Sequence, residues 1–164
     1  MRTIFRLTFL FVFAVAMQAA GIDRAAAQAA PIALLDSLAG DSHQPYVAVL
    51  LITPGDCIKC VALADEAVAS VNTMPASAEK VTLVAAVSVA RERELKSFIR
   101  NYSWAHRAIV DHGDIRTSLH LAVDDGLAVY ERKTGICLGV IKHDEFDGDL
   151  SPKLRKLLHS KTAH

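Results

Sequence analysis

The sequence predicts an α/β fold, and three observations lead to that expectation. Two continuous apolar runs, at residues 46 to 53 and 80 to 89, have the length and composition of strands buried on both faces of a sheet. Segments with apolar residues at helical spacing follow both runs. Two further apolar runs, at 127 to 131 and 136 to 142, flank Gly135, which suits a tight hairpin turn. The predicted order of elements is therefore βαβαβαββα, with one short helix ahead of it.

The first 27 residues have the pattern of a secretory signal peptide. Arg2 and Arg6 precede an apolar run from Leu7 to Ala16, and small residues with Ala-x-Ala spacing follow it. The alternative is an uncleaved membrane anchor. However, the uncharged stretch from Leu7 to Ile22 contains only 16 residues, whereas a membrane-spanning helix needs about 20 apolar residues. We therefore expect residues 1–27 to be removed and the mature protein to be periplasmic or secreted.

The charge and length of the remaining chain limit the classes of function. Without residues 1–27 the chain keeps 15 basic and 17 acidic residues, a formal charge of −2. That balance predicts neither nucleic-acid binding nor attraction to an anionic membrane surface. The remaining length suits one domain with a substantial core. We place this domain at residues 44–164, behind an N-terminal extension at residues 28–43.

The elements of the N-terminal half follow from periodicity. Residues 31 to 40 predict a short helix that ends at Gly40, ahead of the first strand. The helix after the first strand is expected to reach about Asn72, because six residues share a helical spacing: Cys60, Leu63, Ala64, Ala67, Val68 and Val71. The helix at 91 to 104 follows the second strand, and its four inward-facing residues are expected to be Leu95, Phe98, Ile99 and Tyr102. Trp104 is expected to anchor the core.

The C-terminal half contains shorter elements. Residues 106 to 111 predict a strand, and Asp114 is expected to cap a brief helix after it. The hairpin around Gly135 comes next. In the final helix, Ser151 suits the N-cap and Pro152 the first helical position. Its apolar face is expected to consist of Leu154, Leu157 and Leu158.

Two of the three cysteines lie three residues apart where the first strand gives way to a helix. A cysteine at a helix start lies beside unsatisfied N–H groups and the positive end of the helix dipole, which stabilise its thiolate, and Cys57 occupies that place. Cys60 lies one turn later on the same face, close enough to form a disulfide. Export favours redox chemistry here, because disulfides persist outside the cytoplasm. Cys137, on an apolar strand, is expected to be a buried small hydrophobe.

This order of elements, with Cys-x-x-Cys at the first strand-to-helix junction, resembles the thioredoxin superfamily over about residues 44 to 160. The layout looks most like the exported branch related to TlpA and the redoxins. The resemblance implies a central mixed β-sheet flanked by helices. It also implies a thiol–disulfide oxidoreductase with Cys57 as nucleophile and Cys60 as resolving cysteine, and with no bound cofactor or metal. The partner would be a protein dithiol or disulfide, and a membrane-bound redox partner is compatible with export.

Several features leave the direction of exchange, the client and the oligomeric state open. Lys59 favours a thiolate at Cys57, whereas Asp56 opposes it, so neither a reductant nor an oxidant is preferred. Asp56 also stands where the superfamily usually has a tryptophan. The superfamily's cis-proline position is occupied by Gly126, where we expect a trans peptide bond and an altered substrate groove.

The missing proline raises a rival interpretation. Residues 123 to 130 resemble a segment of the Sco-type copper proteins, with Asp125 in place of their ligand histidine. Thiolates suit Cu(I), so Cys57 and Cys60 form a candidate copper site. The candidates for its third ligand are His112, His120 and His143. A zinc site is disfavoured because no second Cys-x-x-Cys completes it.

Two further alternatives remain. One is a thioredoxin-fold binding module whose cysteines form a static disulfide or no longer turn over. The other is a peroxidase, since Thr53 lies four residues before Cys57, although the sequence between them departs from the peroxidase pattern. His112 is expected to be a solvated loop residue.

Overall fold

The computed structural model describes residues 29–55, 58–74, 80–121 and 126–159 of the 164-residue chain. Asp56, Cys57 and Asp125 lie outside the described residues. The elements occur in the predicted order, with one additional 3-10 turn at His143–Glu145. In chain order the helices and strands are α1 (Ile32–Ala39), β1 (Tyr46–Ile52), α2 (Ile58–Thr73), β2 (Val81–Val87), α3 (Glu92–Asn101), β3 (Arg107–Val110), α4 (Asp114–Ser118), β4 (Gly126–Glu131), β5 (Cys137–Lys142) and α5 (Ser151–His159).

The five strands form one mixed sheet in the order β3-β2-β1-β4-β5. Strands β1, β2 and β3 are parallel, whereas β4 runs antiparallel to both β1 and β5. The register places Ile52, Val87 and Val110 side by side at the carboxyl ends of the parallel strands. The loops that follow these three strands therefore meet at one edge of the sheet, and the amino end of β4 reaches the same edge.

The sheet is covered on both faces, which explains the unbroken apolar runs in its central strands. Alternate residues of β1 belong to two hydrophobic core clusters on opposite faces of the sheet. Ala48, Leu50 and Ile52 face the first cluster, and Val47, Val49 and Leu51 face the second. Helices α2, α3 and α5 contribute to the first cluster, and α1 and α4 to the second. Both faces of the sheet are thus excluded from water along the strand that leads to the cysteine motif.

Helix α1 belongs to this second core. Its Leu35 and Leu38 are buried against the sheet with Val47 and Val49. The extension is also fastened to the β4–β5 hairpin, because Ala30 N–H donates to Gly135 O at 2.8 Å. Gly135 has φ 72° there, and a Cβ at this position would collide with the carbonyl of Ala30. Residues 29–43, the described part of the predicted extension at 28–43, therefore pack as part of the folded unit.

Three local predictions are corrected. Ile99 is 37 % exposed and does not join the buried face of α3, which is formed by Leu95 and Phe98. The N-cap of α4 is Gly113, not Asp114. Ser151 is the first residue of α5 and not its cap, and its hydroxyl lies 2.9 Å from the Ser70 hydroxyl of α2.

Other local predictions are confirmed. Trp104 is 4 % exposed and its Nε1 donates to the Arg107 carbonyl at 3.1 Å. Helix α1 ends at Gly40, which has φ 60°. In α5, Leu154 and Leu158 are buried and Leu157 packs at the margin of the core. None of the helices in the described part of the chain is long and apolar enough to cross a membrane.

Candidate functional site

The chain leads into the cysteine motif from the edge where the parallel strands end. Strand β1 is buried up to Ile52, and the chain then reaches the surface at Thr53, which is exposed. Helix α2 begins at Ile58, so Cys60 is its third residue. Cys60 is 3 % exposed and packs in the first core cluster with Leu63. The structure thus places the second cysteine in the first turn of a helix, pointing inward, as the spacing predicts.

Cys57, the predicted nucleophile, lies outside the described residues. Its position in the sequence is between Gly55, which is exposed, and the start of α2. Five residues separate Ile52 from Ile58. In the sequence, the first cysteine therefore belongs to the short connection between a buried strand and a helix.

The loop after β3 brings a polar group to the same edge. Asp111 directly follows β3, and its side chain has no exposure to solvent. Its Oδ1 accepts hydrogen bonds from Gly113 N–H at 2.8 Å and Ile115 N–H at 3.1 Å. Asp111 therefore satisfies the start of α4, the role that the sequence assigned to Asp114. An aspartate directly after an apolar strand and two residues before a glycine was the available signal.

The second carboxylate oxygen of Asp111 forms an ion pair with an arginine side chain. Arg116 Nε donates to Asp111 Oδ2 at 3.0 Å, and the Arg116 side chain is 17 % exposed. Arg116 Nη2 lies 3.5 Å from Thr53 Oγ1, across 63 residues of sequence. Sequence reasoning did not identify Arg116, because nothing in its neighbourhood indicates a contact with the loop after β1.

A surface depression of about 370 Å³ opens beside this pair. It lies between the loops that follow β2 and β3, and its lining residues are Ser88, Val89, Ala90, Asp111, His112, Gly113 and Arg116. His112 is exposed, as predicted for a loop residue. The Asp111–Arg116 ion pair therefore lies at the edge of a depression with a mixed polar and apolar lining.

Gly126, for which the sequence resemblance implied a cis-proline position, begins β4 at this edge. It is buried and lies opposite Leu51 of β1 and Lys142 of β5. A Cβ here would be 2.7 Å from the Ile141 carbonyl oxygen. No cis peptide bond occurs within the described residues. The glycine is thus explained by the close approach of the β5 backbone.

The third cysteine is remote from the motif. Cys137 is a half-buried free thiol beside Tyr130 in the β4–β5 ladder, and it packs at the margin of the second core cluster. Cys60 belongs to the first cluster, so the sheet separates the two cysteines. Burial raises the pKa of the Cys137 thiol, and burial likewise raises the pKa of Tyr130. These properties are those of a packed side chain and not of a reactive thiol.

The structure brings no metal site together in the part of the chain that it describes. No three His, Cys, Asp or Glu side chains of the described ranges are close enough to hold an ion. His112 and His120 are exposed loop residues, and His143 belongs to the 3-10 turn. Cys57 and Asp125, on which the copper interpretation depends, lie outside the described ranges.

The architecture of the chain is similar to that of several solved structures. No protein-family model and no curated protein matches this sequence. Among solved structures, a thiol:disulfide interchange protein from Bacteroides sp. is similar, with a TM-score of 0.57, 16% identity, and coverage of 79% of this chain and 82% of that chain. A thioredoxin-like protein from Aeropyrum pernix has a TM-score of 0.54 and 12% identity, covering 74% of this chain and 81% of that one.

StoA from Bacillus subtilis is similar to the same extent, with a TM-score of 0.54 and 13% identity over 72% of this chain and 85% of that chain. At such low identity the similarity concerns the fold. It agrees with the mixed five-stranded sheet, with its order β3-β2-β1-β4-β5 and its helices on both faces. The chain therefore has a thioredoxin-like fold.

Proposed function

We propose that the chain is an exported thiol–disulfide oxidoreductase that uses Cys57 and Cys60. The observation that carries the proposal is the position of Cys60: it lies buried in the first turn of α2, the helix that follows the central strand, and three residues after Cys57 in the sequence. A cysteine just ahead of such a turn lies near free N–H groups and the positive end of the helix dipole. In this proposal Cys57 is the ionised cysteine that reacts first, and burial protects Cys60.

The proposed reaction consists of two exchange steps. The Cys57 thiolate attacks one sulfur of a substrate disulfide, forms a mixed disulfide, and releases the other substrate sulfur as a thiolate that takes up a proton. Cys60, after losing its proton, attacks the Cys57 sulfur and releases the second substrate thiol. The substrate gains two electrons, and the Cys57–Cys60 pair becomes a disulfide. In reverse, the same steps transfer a disulfide to a substrate dithiol.

The burial of Cys60 assigns the two roles within this proposal. At 3 % exposure, Cys60 is poorly accessible to a protein substrate. An incoming disulfide therefore meets Cys57 first, and Cys60 acts only within the mixed disulfide. The motif itself supplies the electron pair, so the reaction uses no bound cofactor or metal.

The partner class and the location follow from the same chemistry. We propose a protein partner that supplies or accepts a dithiol, and a periplasmic or secreted location based on the signal-like residues 1–27. One of the structures that share the fold is named as a thiol:disulfide interchange protein. This name supports a redox function, although the main support comes from the cysteines of this chain.

Exchange assays with matched variants test the proposal. Protein produced from the full sequence is expected to accelerate the reduction of insulin by dithiothreitol. Cys57→Ala should abolish this activity, and Cys60→Ala should accumulate a mixed disulfide with the substrate. Cys137→Ala is the control, because Cys137 lies on the other face of the sheet and should be dispensable. Absence of activity in the wild type, or full activity in Cys57→Ala, would contradict the proposal.

The reduction potential separates turnover from a static bridge. Equilibration with glutathione is expected to give a potential between about −120 and −270 mV, the range of exchange enzymes. A value below about −300 mV would instead indicate a structural disulfide. If the protein exchanges no disulfides but binds one Cu(I) with both Cys57 and Cys60, the copper-carrier alternative replaces this proposal.

A further inference from the structure

Asp111 forms a fixed anchor at the edge of the sheet. Its N–H donates to the Val87 carbonyl at 2.8 Å, which extends the β2–β3 ladder past the end of β3. Its side chain is fully buried and accepts N–H bonds from Gly113 and Ile115. Backbone and side chain are thus both held, so a group that binds the remaining carboxylate oxygen is held as well.

Arg116 is the group that binds this oxygen. The guanidinium is planar, with its five N–H donors in a fixed fork, so the Nε bond to Asp111 Oδ2 at 3.0 Å sets the direction of the other nitrogens. Nη2 then points to Thr53 Oγ1, 3.5 Å away. At this length the contact is a weak hydrogen bond. It nevertheless brings the guanidinium of a residue in α4 to the first residue after β1.

Thr53 is where the chain leaves the sheet for the motif. Ile52, the residue before it, is the end of β1 and accepts a hydrogen bond from Ser88 N–H at 2.9 Å. Thr53 lies four residues before Cys57, so the Cα atoms of the two residues are within about 14 Å of each other. Whatever fixes Thr53 therefore restricts the connection that carries Cys57.

We propose that Arg116 is a positioning residue for the cysteine motif. Asp111 holds the Arg116 guanidinium, and Arg116 acts on the motif through Thr53. This inference rests on the proposed function, for which it names a residue that sequence reasoning missed. We call the set Asp111, Arg116 and Thr53 the Arg116 bridge. The bridge can act on Cys57 in two ways: it ties Thr53, the first residue of the connection, and it supplies a positive charge at that end, which favours the ionised form of the nucleophile.

A purely structural role for Arg116 makes a different prediction. Asp111 already satisfies the start of α4 through Gly113 and Ile115, and neither bond involves Arg116. Loss of the Arg116 side chain should therefore leave α4 formed. If Arg116 served only to neutralise Asp111, its removal would lower stability and leave the reactivity of Cys57 unchanged.

Alkylation of the reduced protein by iodoacetamide at pH 7 distinguishes these roles. Cleavage after Lys59, Lys133 and Lys142 separates the peptides of Cys57, Cys60 and Cys137, so mass spectrometry yields one rate for each cysteine. Arg116→Met, which keeps the apolar stem and removes the cation, is expected to slow alkylation of Cys57 about threefold or more. Arg116→Lys should recover part of that rate. The Cys137 rate should not change, and Arg100→Met, which removes an exposed arginine of α3, is the matched control.

The possible results either support or overturn the proposal. A Cys57 rate in folded Arg116→Met within about 1.5-fold of wild type overturns it, as does an equal change at Cys137, which indicates a general loss of structure. If Arg116→Met does not fold, Thr53→Val decides the question by the same criterion, because valine replaces the hydroxyl with a methyl group of similar size. Failure of the proposed function is seen separately, as a wild-type protein that does not exchange disulfides, and the alkylation comparison does not depend on that activity.

Discussion

Gly126 and Ile141 approach each other so closely that no side chain fits at the start of β4. A Cβ on Gly126 would lie 2.7 Å from the Ile141 carbonyl oxygen and 3.3 Å from Lys142 Cα, both of which are backbone atoms of β5. Backbone atoms in a sheet cannot move aside without disturbing the ladder. The glycine is therefore fixed by the β4–β5 pairing, and the Cβ of a proline at this position would meet the same backbone atoms.

Gly126→Ala is accordingly expected to destabilise the protein by roughly 1–3 kcal/mol, the usual cost of overpacking. Gly126→Pro should cost at least as much, because proline also carries a Cβ. Urea unfolding followed by circular dichroism measures both. Gly55→Ala is the control, since a Cβ at Gly55 has nothing within 4 Å. Equal stability of Gly126→Ala and Gly55→Ala would show that β5 adjusts to the added methyl group.

The two neighbouring apolar residues of α3 are expected to differ strongly in their contribution. Phe98 is 2 % exposed, and its ring lies 4.6 Å from that of Tyr102 and 5.8 Å from that of Trp104, measured between centroids. Phe98→Ala should therefore lower the free energy of unfolding by about 3–5 kcal/mol. Ile99→Ala, at a position that is 37 % exposed, should lower it by less than about 1 kcal/mol. Chemical denaturation gives both values, and similar losses would contradict the orientation of α3.

Helix α1 provides a test of where the domain begins. Leu35 has no exposure and packs in the second core cluster, although it belongs to the predicted extension at residues 28–43. We expect Leu35→Ala to destabilise the whole domain by about 2–5 kcal/mol in a single cooperative transition. Ile32→Ala, on the exposed side of the same helix, is the control, because Ile32 is 47 % exposed. A separate early transition for α1 would instead mark the extension as an independent segment.

The order of elements was predictable because the burial of each helix or strand requires a characteristic pattern of apolar residues in its sequence. Strand β1 is enclosed on both faces and reads as an unbroken apolar run, whereas α3 is buried on one side only and alternates with charges. Ile99 was misassigned because the apolar stripe is wider than the surface that α3 covers. How much of the surface of a helix is buried depends on the elements that pack against it, and the sequence of the helix alone does not specify them.

The candidate site was predictable only in part, for a related reason. The position of Cys60 follows from local rules on helix starts, and the meeting of three loops at one edge follows from parallel strands. The Arg116–Thr53 contact joins residues that are 63 positions apart, and it depends on how a side chain is oriented by Asp111. No periodic pattern encodes such a contact. The capping role of Asp111 was missed because Asp114 offers the same local signal.

The last prediction concerns acid stability and His106. The Nε2 atom of His106 is buried and has no hydrogen-bond partner within the described residues, and the ring lies 5.8 Å from that of Trp104. Burial lowers the pKa of His106 below its ordinary value of 6.5. The unfolded chain therefore binds this proton more readily than the folded protein, so the free energy of unfolding rises with pH. The contribution of His106 is fully present above about pH 6.5 and declines as the pH falls through that value towards the lower pKa of the folded state.

His106→Leu removes this titration while keeping an apolar side chain beside Trp104. We expect urea midpoints measured from pH 7.5 down to pH 5 to fall less steeply in His106→Leu than in wild type, so that the two curves converge or cross at the acid end. His112→Leu is the control, because it removes a histidine whose side chain is exposed. Parallel curves for wild type and His106→Leu would mean that His106 is protonated equally easily in both states, and that the buried Nε2 acquires a partner when it takes up a proton.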